Sequence, residues 1–82
     1  FNPATTISYQ LQQNAHIWLG IYNATGQLVR TLVEGEKNAG IWQASWDGRN
    51  AAGEHLGSGI YFCRLQVDRG PCAETRKMVL MR

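Results

Sequence analysis

Apolar side chains in this chain recur at every second position, and no segment carries the three-to-four spacing of a helix with proper caps. Thr5 to Leu11 puts Ile7, Tyr9 and Leu11 on one face. His16 to Tyr22 puts Ile17, Leu19 and Ile21 on one face and His16, Trp18, Gly20 and Tyr22 on the other. Asn23-Ala24-Thr25-Gly26 reads as a turn, Gln27 to Val33 as a β-rich run, and Gly35 to Gly40 as a polar turn. Ile41 to Trp46 alternates again, with Trp42, Ala44 and Trp46 together. Gly59 to Val67 is the clearest strand, with Tyr61, Cys63, Leu65 and Val67 on one face. Asp68 to Pro71 turns the chain into Ala73 to Met81, where Met78 and Leu80 oppose Lys77, Val79 and Met81.

Such a pattern gives about seven short strands with turn signals roughly every 8–12 residues, and so predicts an all-β fold, a small antiparallel Ig-like sandwich. The antibody-type Cys…Trp…Cys arrangement is absent, so the likeness is one of architecture. With 82 residues there is one domain, 1–82, and one modest core. The net charge of +2 and the scatter of basic residues do not make a nucleic-acid footprint. No run of about 18 apolar residues is present to span a bilayer as a helix. Two cysteines, Cys63 and Cys72, are too few for a disulfide framework or a zinc site. The chain starts at Phe1 without an initiator Met, which suggests a fragment or processed piece of a longer protein.

The segment WDGRNAAGEHLGSGIY, from Trp46 to Tyr61, is the candidate for chemistry. Calcium loops place oxygen ligands at alternate positions, whereas Asp47, Asn50 and Glu54 stand three and four apart. Gly53, Gly57 and Gly59 do not fit a phosphate loop, and no helix follows to hold the anion. The preferred reading is a structural turn. Asp47 accepts backbone N–H groups just ahead of it, Gly48 and Gly53 supply conformations closed to side chains, and Gly57 and Gly59 ease the chain into the next strand. No metal or cofactor is expected.

Catalysis requires a nucleophile beside a base, or two carboxylates in contrasting environments. His16 lies on a polar strand face and His55 in a loop, while Cys63 points with Tyr61 and Leu65 toward the core. Glu34, Glu36, Glu54, Asp68 and Glu74 fall in turns or near strand starts, facing solvent. The sequence therefore suggests no enzyme. Trp18 and Tyr22 share an outer face and could offer a carbohydrate or partner surface, although covering the sheet explains them more simply. Asn23-Ala24-Thr25 matches the glycosylation pattern N-x-[ST] within a tight hairpin.

The blocks, taken in order, are similar to a known family. Phe1-Asn2-Pro3-Ala4-Thr5-Thr6-Ile7-Ser8-Tyr9 resembles the opening N-P-F-N-P-x-T-x-I-x-Y, cut just inside its start. Ile17 to Gln27 resembles the hairpin x-L-x-I-Y-N-x-x-G-Q. Ala39-Gly40, Trp46-Asp47-Gly48, Ser58-Gly59-Ile60-Tyr61-Phe62 with Arg64-Leu65, and the closing Lys77 to Arg82 follow in sequence. These resemble the type A C-terminal sorting domain of the type IX secretion system, which is similar to the Ig-like domain of flagellar hook-capping proteins. Cys63 departs from the pattern, where the family often has an aromatic.

The resemblance implies a secretion and cell-surface sorting signal, secreted or displayed after transit through the periplasm. Its partners would be protein components of the outer-membrane secretion machinery and a passenger domain N-terminal to Phe1. The last strand would be read by the translocon through Arg76, Lys77, Met78, Val79, Leu80 and Arg82, its charges blunting unwanted strand pairing. A non-catalytic extracellular Ig-like structural or assembly module, open to self-assembly, is the alternative. A turn centred between Arg69 and Gly70 places Val67 opposite Cys72 and Cys63 opposite Arg76, too far apart for a disulfide. Cys63 is then a core thiol, and Cys72 lies near an exposed strand start.

Overall fold

A computed structural model describes the backbone of residues 4–68, 70 and 72–81, and their side chains except at 72 and 73. Six strands appear: β1 (Thr5–Leu11), β2 (Ala15–Asn23), β3 (Leu28–Lys37), β4 (Gly40–Trp46), β5 (Gly59–Val67) and β6 (Cys72–Leu80). They form two antiparallel sheets, β1-β4 and β3-β2-β5-β6. The sandwich is as expected, with six strands among the described residues in place of about seven. Residues 47–58 contribute only an isolated bridge, Arg49 with His55, because their hydrogen bonds close turns instead of a ladder.

The alternation carries directly into burial. Ile7, Tyr9 and Leu11 of β1, Ile17, Leu19 and Ile21 of β2, and Tyr61, Cys63 and Leu65 of β5 all face the space between the sheets and are buried. Trp46 closes β4 and is fully buried, as is Leu80 at the end of β6. Replacing a buried Trp by Ala typically costs about 3–5 kcal/mol, a large part of what so small a domain holds. The Trp46 and Tyr61 rings meet edge-on at 5.3 Å, which ties β4 to β5 across the core.

Two expectations need correction. The third strand does not stop at Val33, and Gly35 to Gly40 is not all turn. Glu34, Gly35, Glu36 and Lys37 pair with Trp18, Ile17, His16 and Ala15, so these acids lie in a strand. Side chains set the later reversal. The Asn14 Oδ1 accepts the Ala39 N–H at 2.7 Å, the Trp42 Nε1 donates to the Asn38 carbonyl at 2.8 Å, and the Lys37 ammonium stands 4.8 Å over the Trp42 ring. Irregularities between Leu19 and Gly20 and between Ile21 and Tyr22 let β3 turn both Leu32 and Val33 toward the core.

The second correction is to the register of β5 and β6. Cys63 faces Arg76 as expected, but Cys72 faces Gln66 instead of Val67, since a bulge intervenes beyond Leu65 and Glu74. The turn is held by the Gly70 N–H donating to the Val67 carbonyl at 3.1 Å, and by Asp68 at a φ of 54°. Asp68 Oδ1 accepts the His16 N–H at 3.1 Å and its own N–H donates to the His16 carbonyl, so the turn is fastened to β2. Of the residues in that turn, Arg69 and Pro71 lie outside the described ones.

Candidate functional site

Two regions singled out by the sequence can be built from their residues: the connection after Trp46 and the closing strand. In the connection, Asp47 Oδ1 accepts the Arg49 N–H at 3.1 Å and the Arg30 Nη1 at 3.1 Å. Burial alone pushes the Asp47 carboxyl up, but the Arg49 N–H and the nearby Arg30 guanidinium outweigh it and hold the group below its ordinary value. Asn50 repeats the motif. Its Oδ1 accepts the Ala52 and Glu54 N–H groups at 3.0 Å each, and its Nδ2 donates to Glu54 Oε1 at 3.1 Å. Asp47 Oδ1, Asn50 Oδ1 and Glu54 Oε1 are therefore each engaged by the chain's own N–H donors.

The glycines of the connection play two parts. Gly48 and Gly53 sit at φ of 76° and 83°, and Gly59 enters β5 at 156°, all closed to most side chains. Gly57 has no positive φ, and contributes its carbonyl, which accepts the Tyr61 hydroxyl at 2.8 Å. The loop is also pinned at both sides. The Ala51 N–H donates to the Val29 carbonyl at 3.0 Å, and the Leu56 N–H to the Gly48 carbonyl at 2.9 Å. The Arg49 carbonyl accepts both the Trp46 Nε1 at 2.9 Å and the Arg30 Nη1 at 3.1 Å. Arg30 was not foreseen, because nothing in the sequence marks a residue of β3 as the partner of a loop 17 positions on.

The closing strand is an edge of the four-stranded sheet. Opposed residues in an antiparallel pair share a face. Met78, opposite Tyr61, and Leu80, opposite Gly59, point inward, and Leu80 is fully buried. Lys77, opposite Phe62, and Val79, opposite Ile60, point outward and are exposed. Arg76 does not join Lys77 on that face. It shares the inward row with Cys63 and pairs with Glu74 at 2.6 Å, beside Ile7, Ser8 and Tyr9 of β1. An inward-aimed charged pair is an effective guard for a sheet edge. The expected recognition set is thus split between two faces and the core, and Arg82 lies outside the described residues.

The outer face of this sheet carries the aromatics. Trp18 and Tyr22 meet edge-on at 6.1 Å, and the Arg64 guanidinium stands 5.1 Å over the Tyr22 ring. Gly20 lies between them, and a Cβ there would overlap the Trp18 indole, so the ring rests across the glycine. Covering the sheet accounts for Trp18. The Asn23 amide is likewise engaged, with Oδ1 accepting the Thr25 and Gln27 N–H groups and the Thr25 hydroxyl, and Nδ2 donating to Gln27 Oε1. His55 is exposed in its loop while Cys63 is buried in the core. Among the described residues, no three His, Cys, Asp or Glu side chains gather as a metal site, and no helix is long and apolar enough to cross a membrane.

Two antiparallel sheets around one aromatic and aliphatic core define a small Ig-like sandwich domain. The family model of the FlgD Ig-like domain matches residues 2–70, and the chain belongs to that family. Two solved structures show the same fold. Dimeric latent PorU from Porphyromonas gingivalis aligns at a TM-score of 0.76 and 20% identity, over 98% of this chain and 8% of that one. FlgD from P. aeruginosa aligns at 0.65 and 21%, over 93% of this chain and 58% of that one. The chain therefore spans a small part of PorU and a little over half of the FlgD chain. No curated protein matches the sequence.

Proposed function

We propose that this domain is a non-catalytic address for protein secretion, a sorting signal read by the type IX machinery and carried at the end of a passenger protein. The observation that carries this reading is the fit of almost the whole chain onto 8% of the PorU chain, which is the relation of a small module to a much longer protein. The ordered sequence blocks that resemble type IX sorting domains support it from the other side. The domain travels through the periplasm to the cell surface. Its partners are proteins of the outer-membrane secretion apparatus, and the surface read is the outward row of β6, Lys77 and Val79, with its adjoining backbone edge.

Fusing the chain to a reporter in a bacterium that uses type IX secretion should deliver the reporter to the surface. Deleting residues 77–82 should abolish delivery, but the deletion also removes buried Leu80. The double variant Lys77→Ala/Val79→Ala changes only exposed positions, and should cut delivery while leaving the fold intact by circular dichroism. Undiminished delivery by that variant would remove β6 from the address. Failure of the intact fusion to leave the cell would defeat the reading itself. The likeness to FlgD supports a second reading, a structural or assembly module, in which case the reporter stays inside.

A further inference from the structure

The outer face of the β3-β2-β5-β6 sheet is charged oppositely at two diagonal corners. Opposed pairs fix the layout. Glu36 lies beside His16 and Glu34 beside Trp18 at the corner made by the end of β3. Arg64 faces Thr75, and Lys77 faces Phe62, at the opposite end on β5 and β6. The His16 Nδ1 and Glu36 Oε1 lie 3.4 Å apart, which places Glu36 on this face directly. Glu34 and Lys77 are both exposed, and neither has an ion-pair partner among the described residues. Between the corners lie the half-buried rings of Trp18, Tyr22 and Phe62, and beyond them exposed Ile60 and Val79. A groove lined by Glu34, Trp18 and Gln66 opens near the acidic corner, and another lined by Tyr22, Phe62 and Arg64 near the basic one.

We infer that this face is a self-complementary docking surface for a second copy of the same chain. An acidic or a basic foreign partner would call for one sign of charge across the face. Opposite signs at diagonal corners with rings between them satisfy a different condition. A two-fold axis lying in the face along the other diagonal brings each acidic corner over the partner's basic corner. Glu34 then meets Lys77 of the partner, the reciprocal pair forms across the axis, and the aromatic rings close against each other in the middle. Charged rim and apolar centre are the usual anatomy of such contacts.

The size of the face sets the strength. Four strands at ~4.8 Å spacing and six residues of β2 at ~3.3 Å make a footprint of roughly 15 by 20 Å. That is well below the ~800 Å² per partner of a standard stable complex. The pairing is therefore weak, concentration-dependent and salt-sensitive, and suited to copies held at high local density.

Sedimentation equilibrium of the chain at millimolar concentration tests this. The wild type should show a weight-average mass well above that of the monomer at low salt and lose most of the excess in molar sodium chloride. Glu34→Lys and Lys77→Glu, each checked for fold by circular dichroism, should both be monomeric, since each sets like charges against each other at both ends of the pair. An equimolar mixture of the two variants should associate again, because a chain with lysine at both positions meets one with glutamate at both. A monomeric wild type, self-association untouched by the single reversals, or a mixture that stays monomeric would each overturn the proposal. A monomeric chain whose reversals nevertheless impair surface delivery would assign the face to another partner, and would overturn it equally.

Discussion

Asp47 shows how one short side chain can decide between a binding loop and a structural one. Its carboxylate joins β3, through Arg30, to the backbone at Arg49, and the same contacts hold its proton affinity down. Asp47→Ala should lower stability by about 1–2 kcal/mol, as removal of a turn-capping acceptor does. Asp47→Asn keeps the acceptor and loses the charge. It should cost less than about 1 kcal/mol, because the ion pair with Arg30 is half exposed and screened by solvent. The carboxyl is more acidic folded than unfolded, so its contribution is complete above the ordinary value of about 4 and is lost as the pH falls through the folded one. Melting curves against pH should therefore converge for wild type and Asp47→Asn in that acidic range and separate above it. Millimolar calcium should leave the melting temperature where it was; a rise of several degrees would reinstate the loop as a cation site.

At the level of strands, register governs what the two cysteines can do. Cys63 faces Arg76, and Cys72 faces Gln66, three positions further along β5. Three residues at the usual rise separate them by about 10 Å along the sheet, beyond the ~7 Å between Cα atoms that a disulfide tolerates. Cys63 is also buried. Digestion of the unreduced protein between the two cysteines should yield no linked peptides by mass spectrometry, and the native fold should shield Cys63 from alkylation until denaturant is added. A linked pair from a monomer would mean that the register is wrong. The bulge that moves Cys72 could not be read beforehand, because nothing in a turn of the type Asp68 to Pro71 distinguishes a ladder with an extra residue from one without. The strands β1, β2, β4 and β5 were legible for the opposite reason: a single slip would turn Ile7, Ile17, Trp46 or Tyr61 out of the core. β3 was the least legible, since its Leu28, Val29, Leu32 and Val33 leave the period ambiguous and its last turn depends on Asn14, far away in sequence.

Over the whole molecule, two of the four strand pairings, β1 with β4 and β2 with β5, join distant parts of the chain. Thr5 pairs with Trp46 and Ile17 with Val67, and among the described residues the β2-β3 and β5-β6 hairpins are the local pairings. Non-local pairing makes folding slow, in the range of about milliseconds to seconds. Stopped-flow refolding should give one exponential with the same rate by far-ultraviolet circular dichroism and by the summed fluorescence of Trp18, Trp42 and Trp46, the last of which is fully buried in the core. A large amplitude lost before the first reading would indicate a collapsed intermediate and contradict this. The architecture was readable because a two-residue period permits little else. The candidate site was readable only in part: the split of Met78 and Leu80 from Lys77 and Val79 is written in the alternation, but the pairing of Arg76 with Glu74 beside Ile7, Ser8 and Tyr9 depends on how β1 packs against the sheet.

The carbonyl of Arg49 receives one proton donor from Trp46 and another from Arg30, so a peptide oxygen is one joint between the two sheets. Every amino acid supplies that oxygen. Any residue with a backbone N–H for Asp47 could therefore stand at position 49 while the joint persists. Its disruption would come from elsewhere, through Trp46, through Arg30, or through a residue at position 48 unable to hold the backbone of Gly48. The fold here is anchored at a point that has no signature of its own in the alphabet of side chains.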